Sequence, residues 1–106
     1  MSNVEWSKTE EQVAQAAFDL AYEREIKALM KEVQQKASSL IAIDEIWHLH
    51  DFLSAKRHDL DGKYDYRYSE LIFVFSRLVK EGWLDVHELD GLAPDKLTKI
   101  TVLAQM

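Results

Sequence analysis

The 106-residue chain has no cysteine, one proline and three glycines. Without cysteine there is no disulfide framework, no thiol nucleophile and no thiolate metal site. Gly62, Gly82 and Gly91 form no GxGxxG or GxxxxGK run, which argues against a phosphate-cradling nucleotide domain. So few turn formers leave few places to reverse the chain, and long helices are favoured over many short strands. An excess of positive charge is also missing. Asp and Glu number 19 against 13 Lys and Arg, a net charge of −6, which opposes nonspecific attachment to nucleic acid or acidic lipid. No apolar run approaches the ~20 residues of a membrane span; LIFVF at 71–75 is among the longest. The start, MSNVEWSKTEEQ, lacks the basic segment and apolar core of a signal peptide. The expected location is the cytoplasm.

What is present suits one globular domain: 47% hydrophobic and 30% charged residues. The charge is uneven. Residues 1–45 carry nine acidic and five basic groups, and residues 46–106 carry ten and eight, including the basic cluster Lys56, Arg57, His58.

The first helix starts at a capping box, Ser7 with Glu10 three residues on, preceded by Trp6 at a hydrophobic-staple position. Val13, Ala17, Phe18, Ala21, Tyr22, Ile26, Leu29 and Val33 then recur at three-to-four spacing, with Glu25 as a polar interruption. The spacing predicts a helix over about 8–37. Its length, about 45 Å at 1.5 Å per residue, exceeds what a compact domain of this size contains. Such a helix protrudes or finds a partner along its length.

Ser38-Ser39 marks the expected break. A second helix starts between 40 and 44, with Asp44 as candidate cap, and runs to about 60. DGKYD at 61–65 reads as a turn, with the alternative that the helix continues to Gly62. Ile43, Ile46, Leu49, Leu53 and Leu60 form one apolar face, expected to be core. Trp47, His50, Ser54 and Arg57 line up at an adjacent angle, flanked by Asp51 and Phe52. A helix with two such faces contacts two things, and the second can be another chain.

A third helix is expected over 67–81, burying Leu71, Ile72, Val74, Phe75, Leu78 and Val79 and ending at Gly82. A short turn or helix follows near 85–90, and Gly91 breaks it. Pro94 then opens a last helix, about 94–104, with Leu97, Ile100 and Leu103 on its buried side. The fold class is all-α: two long helices followed by a small helical head.

The WHLHD run at 47–51 is the one dense cluster of candidate ligands. It is not HExxH, and a metal site there needs a ligand from elsewhere; structural or interface histidines are the simpler reading. A base built from His48 and Asp51 lacks a nucleophile and an oxyanion scaffold. A metal-dependent enzyme using His48, His50, Asp51 and His58 is therefore poorly supported. Asp51 and Arg57, six apart, cannot meet within one helix, but across an antiparallel two-fold contact they can pair twice, with Trp47 as apolar anchor. In the alternative, Trp47 is core within the chain and Arg57 is merely solvated. The run Lys63, Tyr64, Asp65, Tyr66, Arg67, Tyr68 favours helix packing with exposed hydroxyls over nucleic-acid stacking, because two acids flank it and the net charge is negative.

The segment WHLHDFLSAKRHDLDGKYDYR closely resembles the signature of the cyanobacterial fluorescence recovery protein family, regulators of the orange carotenoid protein. ELIFVFSRLVKEG, the short turn region after it and DKLTKI follow that family in order and spacing, so the resemblance covers nearly the whole chain. It implies an all-helical homodimer, with about 8–62 as an extended dimerisation region and about 63–106 as a helical head. It implies a non-enzymatic regulator without a cofactor or resident metal. Such a regulator binds the light-activated red form of the orange carotenoid protein through that partner's C-terminal domain. It speeds return to the orange form and release from the phycobilisome, ending non-photochemical quenching. It also implies at most a peripheral place on the thylakoid face. The resemblance carries a dimer and activity patch onto Trp47, Leu49, His50, Asp51 and Arg57, and a partner-binding contact onto Phe73 and Lys99. His48, Tyr66 and Tyr68 depart from the family pattern without removing a functional group. The competing reading is a helical dimeric adaptor with an unrelated partner.

Overall fold

The computed structural model describes residues 5–106. Residues 1–4, the beginning of the stretch read as lacking a signal peptide, lie outside it. Four α-helices, α1 (Lys8–Ser38), α2 (Ile43–Lys63), α3 (Leu71–Lys80) and α4 (Pro94–Ala104), are joined by short connections and a 3-10 helix, Val86–Leu89. Among the described residues the only β-pairing is an isolated bridge, Asp90 to Leu92. No helix among the described residues is long and apolar enough to cross a membrane.

The particle measures 54 × 25 × 22 Å, with a radius of gyration of 16.7 Å. A compact domain of this length would have about 13 Å. The excess comes from α1, which is shared by two bodies. Its first half carries a line of small buried residues, Ala14, Ala17 and Ala21, onto which the C-terminal head packs. Its second half leaves the head and pairs with α2 in an antiparallel hairpin, the arm. Lys36 of α1 lies 4.8 Å above the Phe52 ring of α2, and Glu25 meets Lys63, which fixes the antiparallel sense.

The capping box forms as the sequence predicts: the Ser7 N–H donates to Glu10 (2.9 Å) and the Glu10 N–H to Ser7 Oγ (3.1 Å). Glu10 also accepts from the Ala93 N–H (2.8 Å) and from Lys96 Nζ, so one carboxylate fastens the starts of α1 and α4 together. Trp6 packs against Tyr68 and beneath Lys96.

Three boundaries differ from expectation. Asp44 is not the cap of α2. Ala42 occupies that position and has no acceptor, so Glu45 caps instead by accepting the Ile41 and Ala42 N–H groups. Residues 61–65 do not form a turn; the alternative, that the helix continues to Gly62, is what the structure shows. The helix runs through Gly62 to Lys63, whose ammonium is held in the interior. The third helix begins at Leu71 instead of 67. The preceding residues 64–70 form an extended-to-turn strap laid on α1, because its tyrosines pack edge-on against Phe18 and Tyr22.

The core of the head contains Leu71, Phe75, Leu78, Leu89 and Ile100, all fully buried. Gly82, at φ +86°, closes α3: the Trp83 N–H reaches the Leu78 carbonyl (2.9 Å) and the Gly82 N–H that of Val79 (3.1 Å), a Schellman stop. Gly91, at φ +113°, lets the loop before α4 press against α1. A Cβ there would stand 2.7 Å from Val13 Cγ2.

Candidate functional site

The arm and the head meet at a charged junction. Lys63 and Glu25 have side chains only 1% and 3% exposed and lie 2.7 Å apart. The Lys63 ammonium also donates to Glu81 (2.7 Å), and the Tyr64 hydroxyl donates to Glu25 (2.7 Å). Arg77 reaches from α3 to Glu81 (2.8 Å) and to Asp59 of α2 (2.8 Å). Glu25, the polar interruption of the α1 stripe, thus continues the Ala14–Ala17–Ala21 line where the covering element changes from head to α2. Burial raises the Glu81 carboxyl's pKa, but hydrogen bonds from Lys63 and Arg77 outweigh it and hold it below the usual range. Burial and the bond to Glu25 push the Tyr64 phenol well above its ordinary value, so it stays protonated as a donor.

Beyond this junction α2 has one covered side. Glu45, Leu49, Phe52, Lys56, Asp59, Leu60 and Lys63 are wholly or partly buried and recur at helical spacing toward α1. The expected core face is therefore split. Leu49 and Leu60 turn inward, whereas Ile43, Ile46 and Leu53 are exposed. A single neighbouring helix covers about one stripe of α2, and the Leu49–Phe52 line takes it. The exposed apolar residues join Trp47, 58% exposed, and the exposed His50, Ser54 and Arg57 in one continuous outer face. Of the predicted patch, Trp47, His50 and Arg57 are together on this face. Asp51 lies at its edge, with an oxygen 3.4 Å from His50 Nδ1. Leu49 lies apart, half-buried in the cleft lined by Lys36, Leu40, His48 and Phe52. The periodicity had marked Ile43, Ile46 and Leu53 but could not tell a face covered within the chain from one left open. The hairpin tip is likewise apolar, with Ile41 92% exposed.

The second face lies on the head. Phe73, one turn before Arg77 on α3, is 60% exposed, and Lys99 on α4 is exposed. Phe73, Ser76, Arg77, Lys80, Glu81 and Leu103 line a groove. The start of α4 lies beside Tyr68 by way of Trp6, while Leu103 lies beside this groove. Lys99 lies one turn before Leu103 on α4 and is not among the residues lining this groove.

His48, His50, Asp51 and His58 do not converge: among the described residues no group of three or more His, Cys, Asp or Glu side chains could hold a metal. Tyr66 and Tyr68 are partly buried and stack edge-on at 5.6 Å. Burial and the bond to Tyr68 raise the Tyr66 phenol to about 12. Their packing on Phe18 and Trp6 agrees with the packing role expected of the tyrosine run, but the Tyr64 hydroxyl is not exposed as expected, because it donates to the buried Glu25. Nothing in the sequence marked Lys63, which lay inside a segment read as a turn or, in the alternative, one residue past the expected end of α2.

A family model described as photoprotection regulator fluorescence recovery protein matches residues 6–104. The fluorescence recovery protein of Synechocystis sp. (strain PCC 6803) is 54% identical over 101 residues, covering 95% of this chain and 93% of that protein. The solved structure of the Fremyella diplosiphon fluorescence recovery protein superposes with a TM-score of 0.94 at 58% identity, over 96% of this chain and all of the other. That of the Synechocystis protein gives 0.93 at 53% identity, with the same coverage.

Proposed function

This chain belongs to the fluorescence recovery protein family of photoprotection regulators, and from that membership we propose that it binds the red form of the orange carotenoid protein. It accelerates the partner's return to the orange form and its release from the phycobilisome, so ending non-photochemical quenching. It does so without chemical catalysis or a cofactor of its own. It works in the cytoplasm, peripherally at the thylakoid face where its partner is docked.

The observation that carries this reading is the pair of open faces on separate bodies of one chain. The outer face of α2 puts Ile43, Ile46, Trp47 and Leu53 in water, an apolar stripe of the kind that marks a protein contact. Its occupant is a second copy, lying antiparallel so that Asp51 of each chain reaches Arg57 of the other. Trp47 anchors the contact, and Leu49 supports it from behind by packing the hairpin. The head, with Phe73 as apolar anchor and Lys99 exposed on α4, stays open for the C-terminal domain of the carotenoid protein. Acceleration then has a physical requirement. The head must bind the barrier state between red and orange better than the red state, since equal affinity for all states would only trap the complex.

The deciding experiment is optical. An orange carotenoid protein is converted to its red form by light, this chain is added, and the return of the orange spectrum in darkness is followed. A return several-fold faster with a catalytic amount of the chain is the expected result. An unchanged rate, with no complex in gel filtration, would sink the assignment and leave a helical adaptor with another partner.

A further inference from the structure

We propose that Asp59 and Arg77 form a positioning pair through which the base of the arm sets the shape of the Phe73 face. This deepens the proposed partner-binding role of that face and rests on it.

The arm is joined to the head by the unbroken helix α1 and by the last turn of α2, where Asp59, Leu60 and Lys63 are the covered residues. Lys63 faces inward and is almost wholly buried between Glu25 and Glu81, so it fixes α2 to the core. Asp59 is different. It stands at the surface of the same turn and holds Arg77 Nη2 at 2.8 Å, reaching across from arm to head.

Arg77 in turn belongs to the Phe73 surface. The two residues are four apart on α3, so their side chains lie side by side on its solvent face. Arg77 and Phe73 line two grooves together. One runs to Lys80 and Leu103, and the other runs to Gly62 and Lys63 at the base of the arm. A guanidinium is planar and holds two carboxylates in fixed directions. With Asp59 on one nitrogen and Glu81 on another, the stem of Arg77 is immobilised as the wall between these grooves. Release from Asp59 leaves Arg77 with a single direct carboxylate, its i,i+4 neighbour Glu81, which Lys63 also grips, and frees the Nη2 side of the wall to move against Phe73.

The test uses the full chain and its Asp59→Asn variant, with the red form of the carotenoid protein as the binding probe. A second readout needs no partner: 4-fluorophenylalanine replaces all four phenylalanines, and the fluorine resonance of Phe73 is assigned by its loss in Phe73→Ala. Asp59→Asn is expected to weaken partner binding about two- to five-fold, the size of a partly exposed ion pair. It should also shift the Phe73 resonance. The double variant with Phe73→Ala should bind no more weakly than Phe73→Ala alone, and Asp59→Glu should restore the wild-type resonance. A Phe73 resonance unmoved by Asp59→Asn overturns the proposal, as do binding losses that simply add. If the wild-type chain fails to bind the carotenoid protein, the functional reading fails, and the fluorine experiment still decides whether Asp59 sets the Phe73 face.

Discussion

Lys63, the last residue of α2, places its ammonium 2.7 Å from the carboxylate of Glu25 near the middle of α1, and both side chains are almost completely removed from solvent. Glu25 also takes the Tyr64 hydroxyl, and Lys63 also takes Glu81. The polar groups are thus matched as closely as a buried pair requires, and the contact fixes the point at which the hairpin leaves the head.

Breaking this pair from one side strands a charge. Lys63→Met or Glu25→Leu alone is expected to cost about 3–5 kcal/mol in urea unfolding. The double variant should recover a large part of that loss, because neither charge is then left buried without a partner. Single-variant losses below 1 kcal/mol would show that water reaches the junction.

The outer face of α2 separates two effects that the sequence merges. Ile46→Glu puts a charge on an exposed position and is expected to halve the mass measured by light scattering while leaving helicity intact. Leu49→Glu puts the charge against Phe52 and Leu40, so its monomer should also melt at lower temperature. A dimeric mass for both variants would place the second copy elsewhere.

On the head, Phe73→Ala and Lys99→Glu should each slow the dark return of the carotenoid protein while the mass of the dimer is unchanged. Truncating an exposed aromatic anchor commonly costs 2 kcal/mol or more, roughly a thirty-fold loss in affinity. Wild-type recovery rates for both variants would remove the head from the partner contact.

Two glycines with positive φ carry different costs. At Gly82 nothing lies within 4 Å of an added Cβ, so Gly82→Ala should lose about 1–2 kcal/mol from backbone strain alone. At Gly91 the same strain is joined by a 2.7 Å approach to Val13 Cγ2. Gly91→Ala should therefore be the more damaging in thermal melts, and Val13→Ala should relieve part of the difference.

The acid limb of stability follows from depressed carboxyl groups. The hydrogen bond from Arg24 is the main cause holding Glu88 at about 2. Burial raises Glu10, but bonds from Ser7, Ala93 and Lys96 bring it below its ordinary value. A carboxyl lowered by folding contributes stability that is complete above its unfolded pKa, near 4.5. That stability is lost as pH falls toward the folded value. Unfolding free energy should accordingly fall between about pH 4.5 and 2, and Glu88→Gln should flatten that slope while lowering stability at pH 7. An equally steep slope in the variant would mean the Arg24 pair is not formed in solution.

Much of this could be read along the chain because it is written in neighbouring residues. Ser7 with Glu10 starts α1, Gly82 stops α3 and Pro94 opens α4, since caps and stops are satisfied within a few residues. The three-to-four spacing from Val13 to Val33 was enough to predict a helix too long for a compact body. The dense run from Trp47 to Arg67 was enough to recognise the family. Tertiary structure decided what spacing cannot encode, namely which neighbour covers which stripe. Ile46 and Leu49 are equally apolar and three residues apart, yet α1 lies against Leu49 and leaves Ile46 in water. Glu25 looked like a flaw in its stripe until Lys63, 38 residues away, proved to be its partner. A lysine inside a turn-like DGKYD run shows no sign of burial, because the free energy that holds it there comes from two carboxylates on other helices.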